Sequence, residues 1–585
     1  SNRGNVLQEL GQLEAALNSC DQAIGLKPAY AQAYSNRGNV LQDLGQLEAA
    51  LDSYDQAIQL RPDWAEAYSN RGVTLTELGQ PETAMKSYDQ AIQLKPDYAE
   101  AYSNRGVTLA ELGQLEVAVD SYNQAIQLKP DYAEAYSNRG NALTGLGQLE
   151  AAMPSYNRAI ELKPDNAEAY SNLLLSLQYT TDFDPEFYLL QAQKFRLNCQ
   201  PQKKTLPSAY TYQRNPTKLK IGLVSSDFGG HPGGYFSLST LRELSRKNLE
   251  LIAYSNYDRT DQLASQFKPL FSQWHSIQRQ TDQDVVAQIV KDGIHILIDL
   301  QGHTSQNRLP IFFYKPAPVQ ATWLSPGSTG IEEIDYYIGS PYLIPETEER
   351  HFSEQVLRLP EVGACFTPPD FELPVNDLPA RSNNFITFGC FNKLVKMNDR
   401  VLALWCRILS AVPNSKLLLK SKELSNPKMV VQTLQRFKHH DIDPNRLTLQ
   451  GWSASRKESL QAYHQVDIVL DPFPFQGHTT TCEAVWMGVP VIVLKGDRLL
   501  FHAGENVNYN LGMDDWVAEN QDQYLSQAVR FSSDLERLAT IRRNQRQQAL
   551  KSPLFDAPRF ADHFSHILQL MWSKSNPDDN PQLVE

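Results

Sequence analysis

Ser35-Asn36-Arg37-Gly38-Asn39-Val40-Leu41-Gln42-Asp43-Leu44-Gly45-Gln46 opens a unit that recurs through the first third of this 585-residue chain. Ser-Asn-Arg-Gly stands at Ser1, Ser35, Ser69, Ser103 and Ser137, a step of 34 residues, and a sixth copy at Ser171 decays into Asn172-Leu173-Leu174. Leu-Gly-Gln recurs from Leu10, Leu44, Leu78, Leu112 and Leu146, and a basic residue with proline closes each unit at Pro28, Pro62, Pro96, Pro130 and Pro164. Within a unit, Ala33, Tyr34, Val40, Leu41 and Leu44 fall at three- and four-residue steps, the period of an amphipathic helix. Gly45 sits where a left-handed residue ends a helix. Ala49, Ala50, Tyr54, Ala57, Ile58 and Leu60 then pattern a second helix, which Pro62 stops.

Two antiparallel helices every 34 residues is the signature of the tetratricopeptide repeat, and five units that close suffice for a continuous core. The sequence therefore predicts an α-solenoid over residues 1–180. Asn36, Asn70, Asn104, Asn138 and Asn172 occupy one position of each first helix. If those helices line the concave groove, the amides form a ladder that can donate to and accept from the backbone of an extended protein or peptide acceptor of any sequence. The alternative is that the asparagines and Arg37 only make a solvated face polar. Because the chain begins inside a unit, further repeats upstream of Ser1 are expected.

Composition narrows the function classes. Lys+Arg number 54 against Asp+Glu 67, a net charge of −13, where a nucleic-acid binder would carry a basic face. Six scattered cysteines without a CxxC spacing read as reduced thiols of a cytoplasmic protein. No apolar run reaches membrane-spanning length, and no signal peptide is evident.

Beyond residue 180 the period is lost. Asp182 to Gln202 is a helical transition, and Lys203 to Lys218 a proline-punctuated linker, so that 181–217 joins the repeats to the rest of the chain. Strand-like runs then alternate with helical ones, which implies a parallel sheet. The first set is Lys220–Val224, Leu249–Ser255, Ile294–Leu300, Val319–Trp323 and Tyr336–Ile338. The second is Phe385–Phe388, Lys416–Leu419, Leu447–Gln450, Asp467–Leu470 and Val489–Leu494. Two Rossmann-like lobes, 218–380 and 381–558, are expected to face each other across a cleft, with a C-terminal helix and tail over 559–585. In such sheets ligands lie at the carboxyl ends of the strands.

Candidate chemistry collects at those ends. Asp471-Pro472-Phe473-Pro474-Phe475-Gln476-Gly477-His478-Thr479-Thr480-Thr481-Cys482-Glu483 leaves one strand; Gly477 offers a tight turn and the threonines a helix N-terminus suited to a diphosphate. Glu483 is placed to accept from ribose hydroxyls, although capping and the helix dipole alone would also favour Thr and Glu there. Lys393 and Lys396 follow Phe388-Gly389-Cys390-Phe391-Asn392 and make a clamp for a diphosphate leaving group. His231, after Ser226-Asp227-Phe228-Gly229-Gly230, and His303, in Gln301-Gly302-His303-Thr304, are acid–base candidates at strand tips. Asp441-Ile442-Asp443 reads as a solvated loop rather than a metal site.

The span from Asn172 to Trp572 resembles the nucleocytoplasmic protein O-glycosyltransferases of glycosyltransferase family 41, the O-GlcNAc transferases and their SPINDLY-type relatives. The resemblance rests on Asp227-Phe228 with His231, Gly302-His303-Thr304, Lys315-Pro316-Ala317-Pro318-Val319-Gln320 to Trp323, Phe391-Asn392 with Lys396, Leu470-Asp471, and His478-Thr479-Thr480 through Met487-Gly488-Val489-Pro490. It implies a GT-B fold and metal-independent, inverting transfer of a sugar from a nucleotide diphosphate to Ser or Thr. It assigns Lys396 to the departing diphosphate, Gly477, His478, Thr479 and Thr480 to its phosphates, Glu483 to the ribose, Arg456 to the base, and His231 to the active site. His303, Lys393 and the loop holding Gly327 and Thr329 are placed with the nucleotide sugar.

The chain also departs from that pattern. Leu324-Ser325-Pro326-Gly327-Ser328-Thr329-Gly330 differs from the usual Gly-Tyr-Pro-Gly-Thr-Ser-Gly, Ser459 stands where animal O-GlcNAc transferases carry a uridine-contacting histidine, and Lys393 replaces Gln or Asn. Gly477-His478-Thr479-Thr480 matches the O-GlcNAc branch and favours UDP-GlcNAc as donor; the stretches Phe391–Lys396 and Phe473–Pro490 look closer to SPINDLY, whose relatives include GDP-fucose users. A repeat scaffold with an inactive nucleotide-sugar fold is the non-enzymatic alternative.

Overall fold

The computed structural model describes residues 2–9, 11–180, 184–201 and 210–575. Of the positions singled out above, Ser1, Leu10, Asp182, Gln202, the linker residues 203–209 and the tail residues 576–585 lie outside the described residues. The chain forms two compact units, Ser1–Pro164 and Asp165–Glu585.

In the first unit each repeat is a helical pair, such as Ala31–Asp43 with Leu47–Leu60. Gly45 takes φ 74° and ends the first helix. Its N–H donates to Gln42 O while Gln46 N–H reaches back to Leu41 O, both at 2.8 Å, so the orphan carbonyls are satisfied. The glycines of Ser-Asn-Arg-Gly have a packing role. A Cβ on Gly38, Gly72, Gly106 or Gly140 would come within 2.5 to 2.7 Å of the ring of Tyr54, Tyr88, Tyr122 or Tyr156. Each buried tyrosine thus seats against a helix face kept bare for it.

The arginine of the same phrase is structural as well. Arg37, Arg71 and Arg105 pair with Asp21, Asp55 and Asp89 of the preceding unit and donate to Ser53, Ser87 and Ser121 of their own. It is therefore a rung between helices rather than a free charge on a solvated face. Successive first helices also pack on one another, as Ala65–Glu77 does on Ala99–Glu111. This places them on the tighter, concave side of the stack.

The second unit carries two parallel sheets. The first contains β1 (Leu219–Ser225), β2 (Leu249–Ser255), β3 (Gln273–Ser276), β4 (Ile296–Asp299), β5 (Val319–Trp323), β6 (Tyr336–Gly339) and β7 (Gln355–Arg358) in the order β3-β2-β1-β4-β5-β6-β7. The second contains β8 (Ile386–Cys390), β9 (Ser415–Lys420), β10 (Leu447–Gln450), β11 (Ile468–Leu470), β12 (Val491–Leu494) and β13 (Val517–Ala518) in the order β10-β9-β8-β11-β12-β13. Strands such as Ile296-Leu297-Ile298 and Val491-Ile492-Val493 are buried on both faces, as helix-covered parallel strands must be.

Each sheet starts at a central strand, winds to one edge, then returns to the other side. Val224 pairs with Asp299, and Gly389 with Val469, across the two points where the winding reverses. There the loops leaving adjacent strands part in opposite directions and open a crevice.

The expected ten strands are joined by β3, β7 and β13. All three are short, and β3 and β7 keep half or more of their residues out of the core. The terminal helix, expected within 559–585, spans Ala557–Ser575 and packs on the first lobe. There Trp323 lies 4.6 Å from the ring of Phe564 and 6.1 Å from that of Phe560. Helices Ala167–Leu177 and Pro185–Cys199 also belong to this unit.

Candidate active site

The loops that leave β1, β4, β8 and β11, the strands flanking the two reversal points, converge on one cavity of about 460 Å³, which residues after β5, β6 and β12 also line. Asp227, His231, Gln301, Asn392, Lys393, Lys396, His478, Thr479 and Thr480 line it, together with Leu175 and Tyr179 from the end of the Ala167–Leu177 segment.

The second-lobe side is organised by Asp471 at the tip of β11. Both carboxylate oxygens accept from the Gly477 N–H, at 2.9 and 3.0 Å, which folds Pro472–Gln476 back on itself. Any side chain at Gly477 would meet Thr480 Oγ1 at 2.5 Å and Asp471 Oδ1 at 2.7 Å, so glycine is required by close approach. Helix Thr479–Trp486 begins there with no side-chain cap, leaving its first N–H groups and their partial positive charge to the cavity.

Lys396 Nζ donates to Asn392 Oδ1 at 3.0 Å and to the Gln476 carbonyl at 2.8 Å, and lies 3.9 Å from the Phe475 ring centroid. Asn392 in turn donates to Asp471 and accepts from Thr480 Oγ1, each at 3.3 Å. Burial pulls the Lys396 amine below its ordinary range, while the nearby Asp471 carboxylate opposes that shift. The same burial raises the Asp471 carboxyl, and Lys396 opposes it. A lysine held by neutral oxygens at an open helix N-terminus is the arrangement a diphosphate needs.

His478 stacks on Phe236 of the first lobe with centroids 4.0 Å apart. Burial pushes its ring down to about 4, so it is neutral at pH 7, and its Nε2 is a buried atom with no hydrogen-bond partner in the protein. Arg456 lies flat on Tyr235, 3.7 Å from the ring centroid, and its Nε is 3.7 Å from Glu483. Its Nη2 is likewise buried without a hydrogen-bond partner. Glu483 faces Arg456, and burial raises its carboxyl above the ordinary range.

Across the cleft, His231 precedes helix Pro232–Leu244, and its Nδ1 lies 2.9 Å from Asp227 Oδ2. The Gly233 N–H approaches the same nitrogen at 3.3 Å. Nδ1 accepts that N–H, while the Asp227 carboxylate, at ion-pair distance, favours a proton on the same nitrogen, the state that would free Nε2 as a base. Asp227 is held from its other side by Arg259 at 3.5 Å.

Of the expected positions, Arg456, Gly477 and Glu483 stand behind the cavity wall without lining it, and His303, Thr329 and Gly327 turn away from the cleft. His303 is fully buried, with Nδ1 3.1 Å from Ser171 Oγ and Nε2 2.9 Å from Thr329 O; both nitrogens are engaged, and burial pushes the ring down to about 4. It ties a helix to a loop and cannot exchange protons with a substrate. Thr329 turns inward to Glu354, which accepts its N–H at 2.7 Å and its hydroxyl. Gly327 packs against Tyr188, where a Cβ would lie 2.8 Å from the phenol oxygen. Leu324, Ser325 and Pro326 of that loop line the cavity instead.

On the repeats, Asn36 is buried beneath Gln32, which donates to it at 2.9 Å. In the next two units the residue four before the asparagine is glutamate, and Glu66 and Glu100 turn away to Lys95 and Lys129. Asn70, Asn104 and Asn138 consequently stay half-exposed, with Asn70 donating to Asn39 at 3.1 Å. Asn172 belongs to the second unit. Asp443 caps the turn Pro444–Arg446, and among the described residues no His, Cys, Asp or Glu cluster could hold a metal ion.

Asp227, Asn392, Asp471, Gln476 and Glu354 complete the site and its supports. Only the polar strand-tip positions of Asp227 and Asp471 are local signals of that role, because the partners that define the others are distant in sequence.

The sequence pattern of glycosyl transferase family 41 matches residues 197–365 and 376–564. This chain belongs to glycosyl transferase family 41. The tetratricopeptide repeat pattern matches 4–45, 38–79, 74–113, 108–147 and 140–173. A "Probable UDP-N-acetylglucosamine–peptide N-acetylglucosaminyltransferase SPINDLY" of Solanum lycopersicum is 34% identical over 370 residues, which is 62% of this chain and 40% of that protein. The corresponding SEC protein of Arabidopsis thaliana is 28% identical over 385 residues, 62% of this chain and 38% of its own length. The family-41 chain thus spans about 40% of the curated relatives it matches. An O-GlcNAc transferase of Thermobaculum terrenum, solved as a mutant, superposes with a TM-score of 0.81 at 29% identity, covering 88% of this chain and 98% of that one. The two-lobed domain is therefore the GT-B fold of an O-GlcNAc transferase.

Proposed function

We propose that this family-41 chain is an inverting, metal-independent protein O-glycosyltransferase, which moves a sugar from a nucleotide diphosphate to Ser or Thr of proteins held by the repeats. The carrying observation is that Lys396 and the uncapped N-terminus of helix Thr479–Trp486 share one cavity with the Asp227–His231 pair. The acceptor hydroxyl attacks the anomeric carbon from the face opposite the diphosphate. The carbon–oxygen bond to the diphosphate breaks, and its electron pair stays on the departing oxygen. Lys396 and the N–H groups at Thr479 and Thr480 offset that charge where it develops. His231 Nε2 takes the hydroxyl proton, and Asp227 stabilises the imidazolium that results.

UDP-GlcNAc is the donor this reading favours. Gly477-His478-Thr479-Thr480 follows the O-GlcNAc pattern, and the names of the curated relatives specify that donor. GDP-fucose is the second reading, favoured by Ser459. Arg456, with its buried unpaired Nη2, would meet the base in either case. Sites built around hydrogen bonds reject wrong partners by as much as about 10⁴-fold, so titrating UDP, GDP and their sugars and then assaying transfer decides the donor. Transfer from GDP-fucose with none from UDP-GlcNAc overturns the donor and leaves the reaction standing. Six cysteines without disulfides suit a cytoplasmic setting.

The repeats are proposed to grip acceptor backbone through Asn70, Asn104 and Asn138. Replacing all three with Ala should weaken transfer to long protein acceptors by about tenfold, at roughly half a kcal/mol for each amide bond, and leave donor hydrolysis unchanged. Equal loss of both activities would remove the ladder from the explanation.

A further inference from the structure

Glu348 belongs to the first lobe, in the turn Glu346–His351, and His502 to the second, immediately before helix Ala503–Asn510. His502 is 5% exposed; its Nε2 lies 2.8 Å from Glu348 Oε1, and its Nδ1 faces Glu505 Oε1. An imidazole with a carboxylate oxygen against each nitrogen makes both bonds only when both nitrogens carry protons. These two carboxylates hold the ring up to about 9 despite its burial, so it is charged at neutral pH. Arg498 flanks the group from the preceding turn, with its own side chain over Phe501 and toward the Thr180 carbonyl. The far end of the same helix also meets the first lobe, where Tyr509 packs on Tyr342 at 5.1 Å.

That helix leads directly to the catalytic lysine. Its Gly504 and Glu505 N–H groups donate to Gln476 Oε1 at 2.6 and 3.3 Å, and the Gln476 amide nitrogen donates to the Leu494 carbonyl. The Gln476 backbone oxygen is the one that accepts from Lys396 Nζ at 2.8 Å. No slack exists at the junction, since a Cβ on Gly504 would lie 2.7 Å from Asp471 Oδ2 and 3.0 Å from Gln476 Oε1. We propose that Glu348, His502 and Glu505 form an ionic latch between the lobes that positions Lys396 through Gln476. This inference rests on the glycosyltransferase reading above. Glu348 and His502 are positioning residues; neither lines the cavity.

Displacing a catalytic group by about 1 Å costs up to a hundredfold in rate, whereas a tie that only stabilises the fold leaves turnover of the folded protein unchanged. The test is Glu348→Gln in the full chain, which keeps size and one hydrogen bond but removes the first-lobe charge. UDP and GDP affinities are measured by calorimetry, and kcat and KM well below the melting temperature. The expected result is a fall in kcat of about tenfold or more with donor KM changed by less than about threefold, the mark of a contact that matters mainly in the transition state. Glu348→Asp, which restores the charge, should recover part of the lost kcat. His502→Gln is read in the same way should Glu348→Gln fold poorly. Wild-type protein that binds no nucleoside diphosphate would sink the functional reading itself. Wild-type protein that binds and turns over, with both variants at the wild-type rate, would sink the latch alone.

Discussion

Lys396→Ala lowers sugar transfer by roughly a hundredfold or more while the fold persists. One preorganised charge aimed at a developing anion contributes about 3 to 4 kcal/mol to a barrier, and here the amine lies beside the open end of helix Thr479–Trp486 with no ion-paired carboxylate oxygen among its hydrogen-bond partners. The structural cost is small for a specific reason. Asp471, the carboxylate that senses the lysine, keeps the Gly477 N–H whether ionised or not, and its carboxyl already lies above the ordinary range through burial. Without Lys396 it takes up a proton more readily. A group that binds its proton more tightly folded than unfolded favours the folded state at low pH, and that contribution fades as pH rises toward the folded pKa. The variant should therefore melt close to wild type at mildly acid pH and progressively lower as pH passes neutrality. Calorimetric melting at several pH values, beside the transfer rate, checks both halves. Wild-type turnover in the variant would remove Lys396 from the mechanism.

How far the sequence led can be traced element by element. The 34-residue period was legible because its residues answer to neighbours within one helical pair: Gly38 to Tyr54, Gly45 to Gln42 and Gln46 to Leu41. Strands β2, β5 and β10 match the sequence reading residue for residue, since each is a β-rich run bounded by polar turns. Strand β3 reads Gln-Trp-His-Ser and β13 has two residues, so neither carries a hydrophobic pattern long enough to detect.

The site divides along the same line. Loops carrying Gly with His or Thr after β1, β4 and β11 announce a ligand-facing turn. Whether a given side chain on such a loop faces the cleft or the core depends on residues far away. His303 turns inward because Ser171 and the Thr329 carbonyl wait for it, 132 and 26 residues distant. Thr329 turns away because Glu354 collects its N–H and hydroxyl. Asn36 differs from Asn70 through one nearby exchange, Gln32 in place of Glu66, which decides whether the amide is covered. The sequence shows that exchange, but its consequence is plain only once Lys95 is seen drawing Glu66 aside.

Asp227→Asn should lower kcat by roughly a hundredfold while leaving nucleotide binding intact, which makes it the complement of the lysine test. The Asp227 carboxylate stands 2.9 Å from His231 Nδ1 and favours a proton on that nitrogen, which leaves Nε2 to act as the base in the proposed mechanism. Asparagine can donate from its amide instead, which favours the opposite tautomer and turns Nε2 into a donor that cannot accept the hydroxyl proton. It also withdraws the charge that stabilises the imidazolium, and a positioned acid–base group contributes about 10² to 10⁴ in rate. Arg259 keeps its bond to the Ser226 carbonyl at 3.0 Å, so the loop retains an anchor. Binding of the nucleoside diphosphate should change little, because its grip on Lys396 and the threonine helix comes from the other lobe. Steady-state transfer and calorimetric titration of the same preparation separate the two effects. A variant that transfers at the wild-type rate would assign the proton to water or to the departing diphosphate, and leave His231 as a contact to the sugar or the acceptor.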